Sequence, residues 1–200
     1  MTDPVPLALK RFIWDIQSLV ELDEGEREIL FIGRDLMARL VASDDWLPQV
    51  FATPDSTQGQ QYQLYNDGME RFSVVSTILA AGQALPIRQQ PFWEIAGLLR
   101  GSATRRRFSL DEKPQAIGES RLAKGDAQVF GSRGADAVQF ANDPTEEVSI
   151  IIHVYGGDIG KLSRREIAPD GASQEIVSGY ANGVDNPPYD IWTIQTEIID

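Results

Sequence analysis

Apolar positions in the N-terminal quarter of the chain recur at the spacing of α-helices. One apolar stripe comprises Leu9, Phe12, Ile13, Ile16, Leu19 and Val20. A second stripe with the same spacing comprises Ile29, Ile32, Leu36, Met37 and Leu40. Acidic residues precede the second stripe, where they suit the positive end of a helix dipole. A short third helix is predicted to begin at Ser43, an N-cap candidate followed by Asp44 and Asp45.

From Gln61 onward the pattern changes to short runs of β-branched and aromatic residues separated by Gly, Pro, Asn and Asp. The runs that predict strands are 72–79, 92–99, 105–110, 127–130, 137–140 and 148–155. This spacing is typical of a β-sandwich or barrel, and no helical patterns alternate with the strands as a parallel α/β fold would require. Residues 170–188 predict a surface loop. We therefore predict one mainly β domain, with an N-terminal α-helical segment (1–55) packed on a barrel with a C-terminal extension (56–200).

The charge balance excludes some classes of partner. Lysine and arginine total 18 against 30 acidic residues, a net charge of -12. Such a surface repels phosphates, so we expect no nucleic-acid partner and no binding to anionic membranes. The sequence has no apolar run near the ~20 residues that span a bilayer. The first residues lack the basic and apolar regions of a secretory signal, so we expect a cytoplasmic protein.

Two residue counts limit the chemistry further. The chain has no cysteine, which removes disulfides, thiolate metal sites and cysteine nucleophiles. His153 is the single histidine, so a metal site built on several imidazoles cannot form. A catalytic triad would have to use His153.

One set of intervals matches the first motif of the cupins, which are small β-barrel proteins. The motif has the form G-x5-H-x-H-x3-E-x6-G, and its intervals are kept here by Gly82, Arg88, Gln90, Glu94 and Gly101. Further blocks follow in one order, at 71–75, 86–87, 97–101, 125–126, 153–158 and 177–180. Over residues 61–190 the series resembles the bacterial cysteine and 3-mercaptopropionate dioxygenases, the thiol dioxygenase family of the cupin superfamily. The resemblance implies a cupin double-stranded β-helix, or jelly-roll barrel, preceded by N-terminal helices.

The same resemblance implies an Fe(II) centre held by three histidines. The corresponding positions hold Arg88, Gln90 and Val138, and a slip of one residue at the last gives Ala137 or Gln139. Arginine cannot release its proton to bind a cation, and valine has no ligand atom. We therefore expect no metal and no cofactor. A replacement set of oxygen ligands from Glu94, Gln90 and Asp136 would favour hard ions instead.

Candidate catalytic residues are Glu94, His153 and Tyr155. The family's Ser-x-His-x-Tyr arrangement is Ile151-x-His153-x-Tyr155 here, so its serine is replaced. His153 and Tyr155 share one face of a strand. They either form a buried hydrogen-bonded pair or contact a ligand in the cavity.

Candidate ligand-binding residues are Arg88, Gln90, Tyr62 and Trp93. The family's substrate arginine is replaced in the stretch that holds Tyr62. We expect Arg88 to pair with Glu94, because the even separation lets both side chains point inward. If Glu94 points elsewhere, Arg88 is available to an anion. The basic run 105–107 predicts a solvated strand edge.

Two classes of function follow from these residues. In the first, the chain is a non-catalytic relative of the thiol dioxygenases that binds a small anionic molecule or a partner protein. In the second, it is an enzyme, either a thiol dioxygenase-like oxidoreductase with an unconventional metal set or a metal-free cupin that uses Glu94, His153 and Tyr155.

Overall fold

The computed structural model describes residues 5–22, 24–89, 91–110, 113–133, 136–183, 188–189 and 194. Two of the predicted helices are confirmed, α1 at Leu7–Glu21 and α2 at Glu26–Val41. The third is wrong, because the chain bends over residues 45–47 and forms only a 3-10 turn at Gln49–Phe51. The Ser43 hydroxyl donates to the Asp45 carboxylate, 2.7 Å away, instead of capping a helix. Pro48 also disfavours helical geometry at the residue before it.

The remainder of the described chain is antiparallel β-structure. The strands are β1 Gln60–Asn66, β2 Ser73–Ala80, β3 Ile87–Gln89, β4 Glu94–Arg100, β5 Ser102–Ser109, β6 Gln115–Ala123, β7 Ala127–Phe130, β8 Ala137–Asn142, β9 Val148–Tyr155, β10 Arg164–Ile167 and β11 Ser173–Ile176. They form a five-stranded sheet in the order β1-β2-β9-β4-β7 and a six-stranded sheet in the order β11-β10-β3-β8-β5-β6. From β2 to β9 the chain passes back and forth between the sheets, which is the jelly-roll connectivity of a double-stranded β-helix. The predicted fold class is confirmed.

The sequence pattern missed five of the described strands, namely β1, β3, β6, β10 and β11. Strand β11 lies inside the stretch 170–188 that we predicted as a loop, and β6 was not predicted. Each ends the six-stranded sheet, and most of its side chains are exposed or only partly buried. Backbone hydrogen bonds to one neighbouring strand hold each of these two strands in the sheet. Their sequences therefore lack the alternating apolar residues from which a strand is predicted.

The helical layer covers the outer face of the five-stranded sheet. Helix α2 packs closely on β4, since a Cβ atom at Gly97 would lie 2.5 Å from the Met37 side chain. Alternate residues of β9 face opposite sides: Ile150, Ile152 and Val154 belong to the apolar cluster shared with the helices. Residues 149, 151, 153 and 155 therefore face the barrel interior. Among the described residues, no helix combines the length and apolarity that crossing a membrane requires.

Candidate functional site in the barrel interior

A buried acid and the single histidine meet across two adjacent strands. Strand β4 pairs with β9, and the Glu94 Oε1 and His153 Nδ1 atoms lie 2.6 Å apart. Glu94 is 2% exposed and His153 is fully buried. With Glu94 ionised and His153 neutral, Nδ1 donates to the carboxylate, which can only accept, and the second ring nitrogen, Nε2, is an acceptor. Within the described part of the chain, Nε2 has no hydrogen-bond partner.

Tyr155 contacts His153 through its ring. The two rings stack with centroids 5.3 Å apart and planes within 5° of parallel. Phe140 meets the other side of the imidazole edge-on. Of the two alternatives for this pair, the hydrogen bond between His153 and Tyr155 is not formed, since residues two apart on one strand project side by side and their rings stack. Burial, reinforced by the nearby Glu94 carboxylate, raises the pKa of the Tyr155 phenol.

Arg88 lies on β3 and pairs with an acid on the neighbouring strand. Its Nε is 3.3 Å from Glu166 Oε2, and the two residues are directly opposite in the β3–β10 register. The predicted Arg88–Glu94 pair is therefore wrong among the described residues: Glu166 is Arg88's cross-strand neighbour, and Glu94 is bonded to His153. Burial lowers the pKa of Arg88 to about 10, with a smaller contribution from the nearby Arg164 and opposition from Glu166.

Gln61 and Arg164 complete this polar cluster, and the sequence analysis missed both. The Gln61 side-chain oxygen accepts hydrogen bonds of 3.2 Å from Arg88 and 3.2 Å from Arg164. Arg164 is 2% exposed, and its guanidinium lies 5.8 Å from the centre of the Tyr155 ring. Alternating burial along β10 would have been the signal for Arg164, but the sequence pattern did not reveal that strand.

A cavity of about 340 Å³ opens beside this cluster. Arg88 and Val138 line it and are direct cross-strand neighbours, and Glu94 lines it from the other sheet. The structure therefore brings together three positions that the motif intervals and the family resemblance single out. Gln90, the fourth, lies outside the described residues. A larger cavity, of about 660 Å³, also contacts Arg88, but its other walls are mainly loop residues.

Arg105 is the charged residue on the cavity wall that the sequence analysis misjudged. Its guanidinium carbon lies 3.6 Å from the centre of the Phe130 ring. In the described part of the structure, its Nε is buried without a hydrogen-bond partner and the guanidinium has no ion pair. Burial lowers the pKa of Arg105 to about 10, with Glu94 opposing the shift. The side chain is therefore a cation at neutral pH.

The basic run is solvated at Arg106 and Arg107, as predicted, but it does not lie at a strand edge, because β5 lies between β6 and β8. Arg105 and Arg107 point into the cavity, where Arg107 pairs with Asp136 at 3.4 Å. Arg106 points the other way and pairs with Glu119 at 2.9 Å.

Two ligand-binding candidates lie away from the cavity. Tyr62 and Trp93 both pack against the apolar cluster shared with the helices, on the outer face of the five-stranded sheet. The Tyr62 hydroxyl donates to the Gln60 side chain at 2.8 Å, and its ring meets Phe51 edge-on. Phe92, the neighbour of Trp93, lines the cavity instead.

The described residues do not fit the iron centre that the family resemblance implies. Arg88 brings a positive charge to one ligand position, and Val138 brings no ligand atom to another. The described residues contain no group of three or more His, Cys, Asp or Glu side chains placed to hold a metal. The alternative oxygen ligands Glu94 and Asp136 share the cavity wall with three arginines, which repel a cation.

No protein-family model matches this sequence. The solved structures similar to this chain include a conserved protein from Klebsiella pneumoniae with a double-stranded β-helix domain, at 12% identity and a TM-score of 0.45, covering 65% of this chain and 94% of that one. An RmlC-like cupin from Methanocaldococcus jannaschii shows 13% identity and a TM-score of 0.40, covering 52% of this chain and 85% of that one.

Oxalate oxidase in complex with glycolate is also similar, at 15% identity and a TM-score of 0.42, over 63% of this chain and 59% of that protein. The match thus spans less than two thirds of the oxalate oxidase chain. It is the order of strands in the two sheets that identifies the cupin-type barrel here.

Proposed function

We propose that this protein is a non-catalytic cupin that binds a small organic anion in the 340 Å³ cavity beside Arg88 and Arg105. One observation carries the proposal: Arg105 is a cation on the cavity wall with no ion pair among the described residues. A guanidinium in a partly apolar enclosure is costly unless a charge or hydrogen bonds compensate it. A bound carboxylate supplies both in a bidentate contact.

The surroundings of Arg105 support a ligand of this sign. The protein as a whole carries a net charge of -12. Its overall amino-acid composition therefore does not explain why three arginines line one cavity. The cavity volume falls at the small end of the range of about 300–1,000 Å³ that ligand sites occupy. Four apolar side chains and five charged side chains line it, so the wall offers both apolar surface and charged groups to a ligand.

Calorimetric titration with small carboxylates tests the proposal. We expect saturable binding to the wild type and a loss of about tenfold or more in affinity for Arg105→Gln. Arg106→Gln is the matched control, because Arg106 lies on the same strand and faces solvent with Glu119. Equal affinity in wild type and Arg105→Gln, or no binding to the wild type, would overturn the proposal.

We also propose that this function requires no iron, in contrast to the thiol dioxygenases. The support is the donor set, since Arg88 and Val138 cannot bind Fe(II). Metal analysis of protein purified without chelator should find iron well below one atom per chain. Cysteine and 3-mercaptopropionate should cause no oxygen uptake above a heat-inactivated control. Stoichiometric iron or thiol-dependent oxygen uptake would contradict this.

One observation favours metal-free acid–base catalysis as a second candidate. When Nδ1 of a neutral His153 donates to Glu94, Nε2 is a proton acceptor without a partner in the described residues. Against it, His153 is fully buried and the described cavity wall does not include it. Exchange of a ligand's α-proton in deuterated water, followed by NMR, separates the two functions. We expect no exchange above the buffer rate; exchange that His153→Gln abolishes would establish the enzyme.

A further inference from the structure

Two arginines on the cavity wall have ion pairs, and Glu94 is held by a hydrogen bond to His153. Arg88 pairs with Glu166, Arg107 pairs with Asp136, and Glu94 is bonded to His153. Of the charged wall residues that the structure describes, Arg105 is left without an ion pair, and Glu94 offsets its charge only from a distance. Arg105 is therefore the guanidinium on this wall that a ligand carboxylate can pair with, and the Glu94 carboxylate lies near it.

Two carboxylates on the same wall oppose a second negative charge. Glu94 and Asp136 both line the cavity, and a dianion would place its additional charge near one of them. Like charges at close range in a partly enclosed site repel more strongly than in water. Phosphate and dicarboxylates are thus disfavoured relative to a ligand with a single charge.

The remaining wall is apolar and partly aromatic. Phe92, Phe130, Val129 and Val138 line the cavity. Phe130 already carries the Arg105 guanidinium on its ring face, so a carboxylate bound to Arg105 would hold the rest of the ligand beside these aromatic side chains. At about 30 Å³ for each water-sized group, the cavity takes roughly eleven such groups. This is enough for a carboxylate on a single ring.

We propose that the ligand is an aromatic or comparably apolar monocarboxylate, held by Arg105 through its carboxylate and by Phe92 and Phe130 through its body. This inference rests on the proposed anion-binding function and specifies its ligand class. The body of the ligand is bound through burial of its apolar surface. Binding therefore requires no amine or thiol group on the ligand.

A panel of four probes tests each feature by calorimetric titration. Benzoate carries the predicted features, acetate lacks the ring, benzamide lacks the charge, and isophthalate adds a second charge to the same ring. We expect benzoate to bind about tenfold or more tightly than each of the others. Inorganic phosphate should not bind measurably.

Two variants locate the binding. Phe130→Leu should weaken benzoate severalfold while leaving acetate unchanged, and Phe31→Leu, an exposed phenylalanine on α2, is its matched control. Arg105→Lys keeps the charge without the planar fork and should weaken both anions. Circular dichroism establishes that each variant is folded before titration.

The outcomes distinguish this inference from the proposed function. If isophthalate, phosphate or acetate binds as tightly as benzoate in an Arg105-dependent manner, the ligand class is wrong and the anion-binding function stands. If benzamide equals benzoate, the charge is irrelevant and both are overturned. If no probe binds the wild type, or if Arg105→Gln leaves binding unchanged, both are likewise overturned.

Discussion

Glu94 and His153 form a buried hydrogen bond of 2.6 Å between neighbouring strands of the five-stranded sheet. The Glu94 carboxylate is thus engaged by the imidazole. Arg88 pairs with Glu166, its cross-strand neighbour on β10. Arg105, which faces the same carboxylate across the cavity, is left without an ion pair in the described structure. Arg105 is thus the unpaired cation on which the proposed ligand binding rests.

The first prediction concerns the energy of this bond. Glu94→Leu and His153→Phe each leave one buried polar group without its partner, and each should lower the free energy of unfolding by about 1–3 kcal/mol. The double variant removes both groups and keeps a ring against Tyr155. Its loss should be smaller than the sum of the single losses by about 1–3 kcal/mol. Urea unfolding followed by circular dichroism measures all four proteins, and additive losses would show that the two side chains do not interact.

The sequence predicted the layout of the barrel because buried strands carry an apolar pattern. Strands β2, β4 and β9 lie in the middle of the five-stranded sheet and read as apolar runs. Edge strands β6 and β11 carry polar side chains, so no pattern marked them. The third helix failed for a local reason, since Pro48 and the Ser43–Asp45 hydrogen bond favour a bend.

The sequence placed some of the cavity residues but none of their side-chain pairs. Period-two alternation placed Glu94 and His153 on the inner face correctly. The Arg88–Glu94 pair failed because β3 and β4 belong to different sheets, and Arg88's cross-strand neighbour comes from β10. The wrong environment for Arg105 has the same origin. Because the sequence pattern does not reveal β6, it places β5 at the edge of a sheet. It then predicts that the inward-facing side chains of β5 are solvated.

The second prediction concerns acid sensitivity. Asp67 is buried in the turn between β1 and β2 and accepts hydrogen bonds of 2.8 Å and 3.0 Å from the Arg71 guanidinium. Burial alone would raise the pKa of the Asp67 carboxyl, but the bonds from Arg71 outweigh it and hold the pKa below 3.8. A carboxyl with a lowered folded pKa binds its proton less readily in the native state than in the unfolded chain.

This stabilisation is therefore complete above the unfolded value of 3.8 and is lost as the pH falls from there through the lower folded pKa. Asp67→Asn should be less stable than the wild type at pH 7 by about 1–2 kcal/mol. It should also lose less stability between pH 5 and pH 2.5, by about the same amount. Urea unfolding at each pH measures both effects, and parallel pH profiles for the two proteins would refute the assignment.

The third prediction concerns the turn between β4 and β5. Gly101 has a φ of 74°, and a Cβ atom there would lie 2.2 Å from the Val148 carbonyl oxygen. Gly125 has a φ of 91° with nothing within 4 Å of its Cβ position, which makes it the matched control. Gly125→Ala should cost about 1 kcal/mol from backbone strain alone, and Gly101→Ala should cost about 2 kcal/mol more. Equal thermal unfolding shifts would show that the close approach to Val148 is unimportant.

The last prediction tests whether Arg105 is retained for binding at the expense of stability. Replacing it with methionine removes a partly buried charge that has no ion pair among the described residues, and keeps a flexible side chain in contact with the Phe130 ring. Arg105→Met should therefore raise the free energy of unfolding by about 1 kcal/mol while abolishing anion binding, a combination typical of functional residues. Arg106→Met, the control on the opposite face of β5, should change stability by less than about 0.5 kcal/mol and leave binding intact. Thermal and urea unfolding without ligand measure the first effect. A destabilised Arg105→Met protein would mean that the guanidinium stabilises the barrel through Phe130, and Arg105 would then have a structural role.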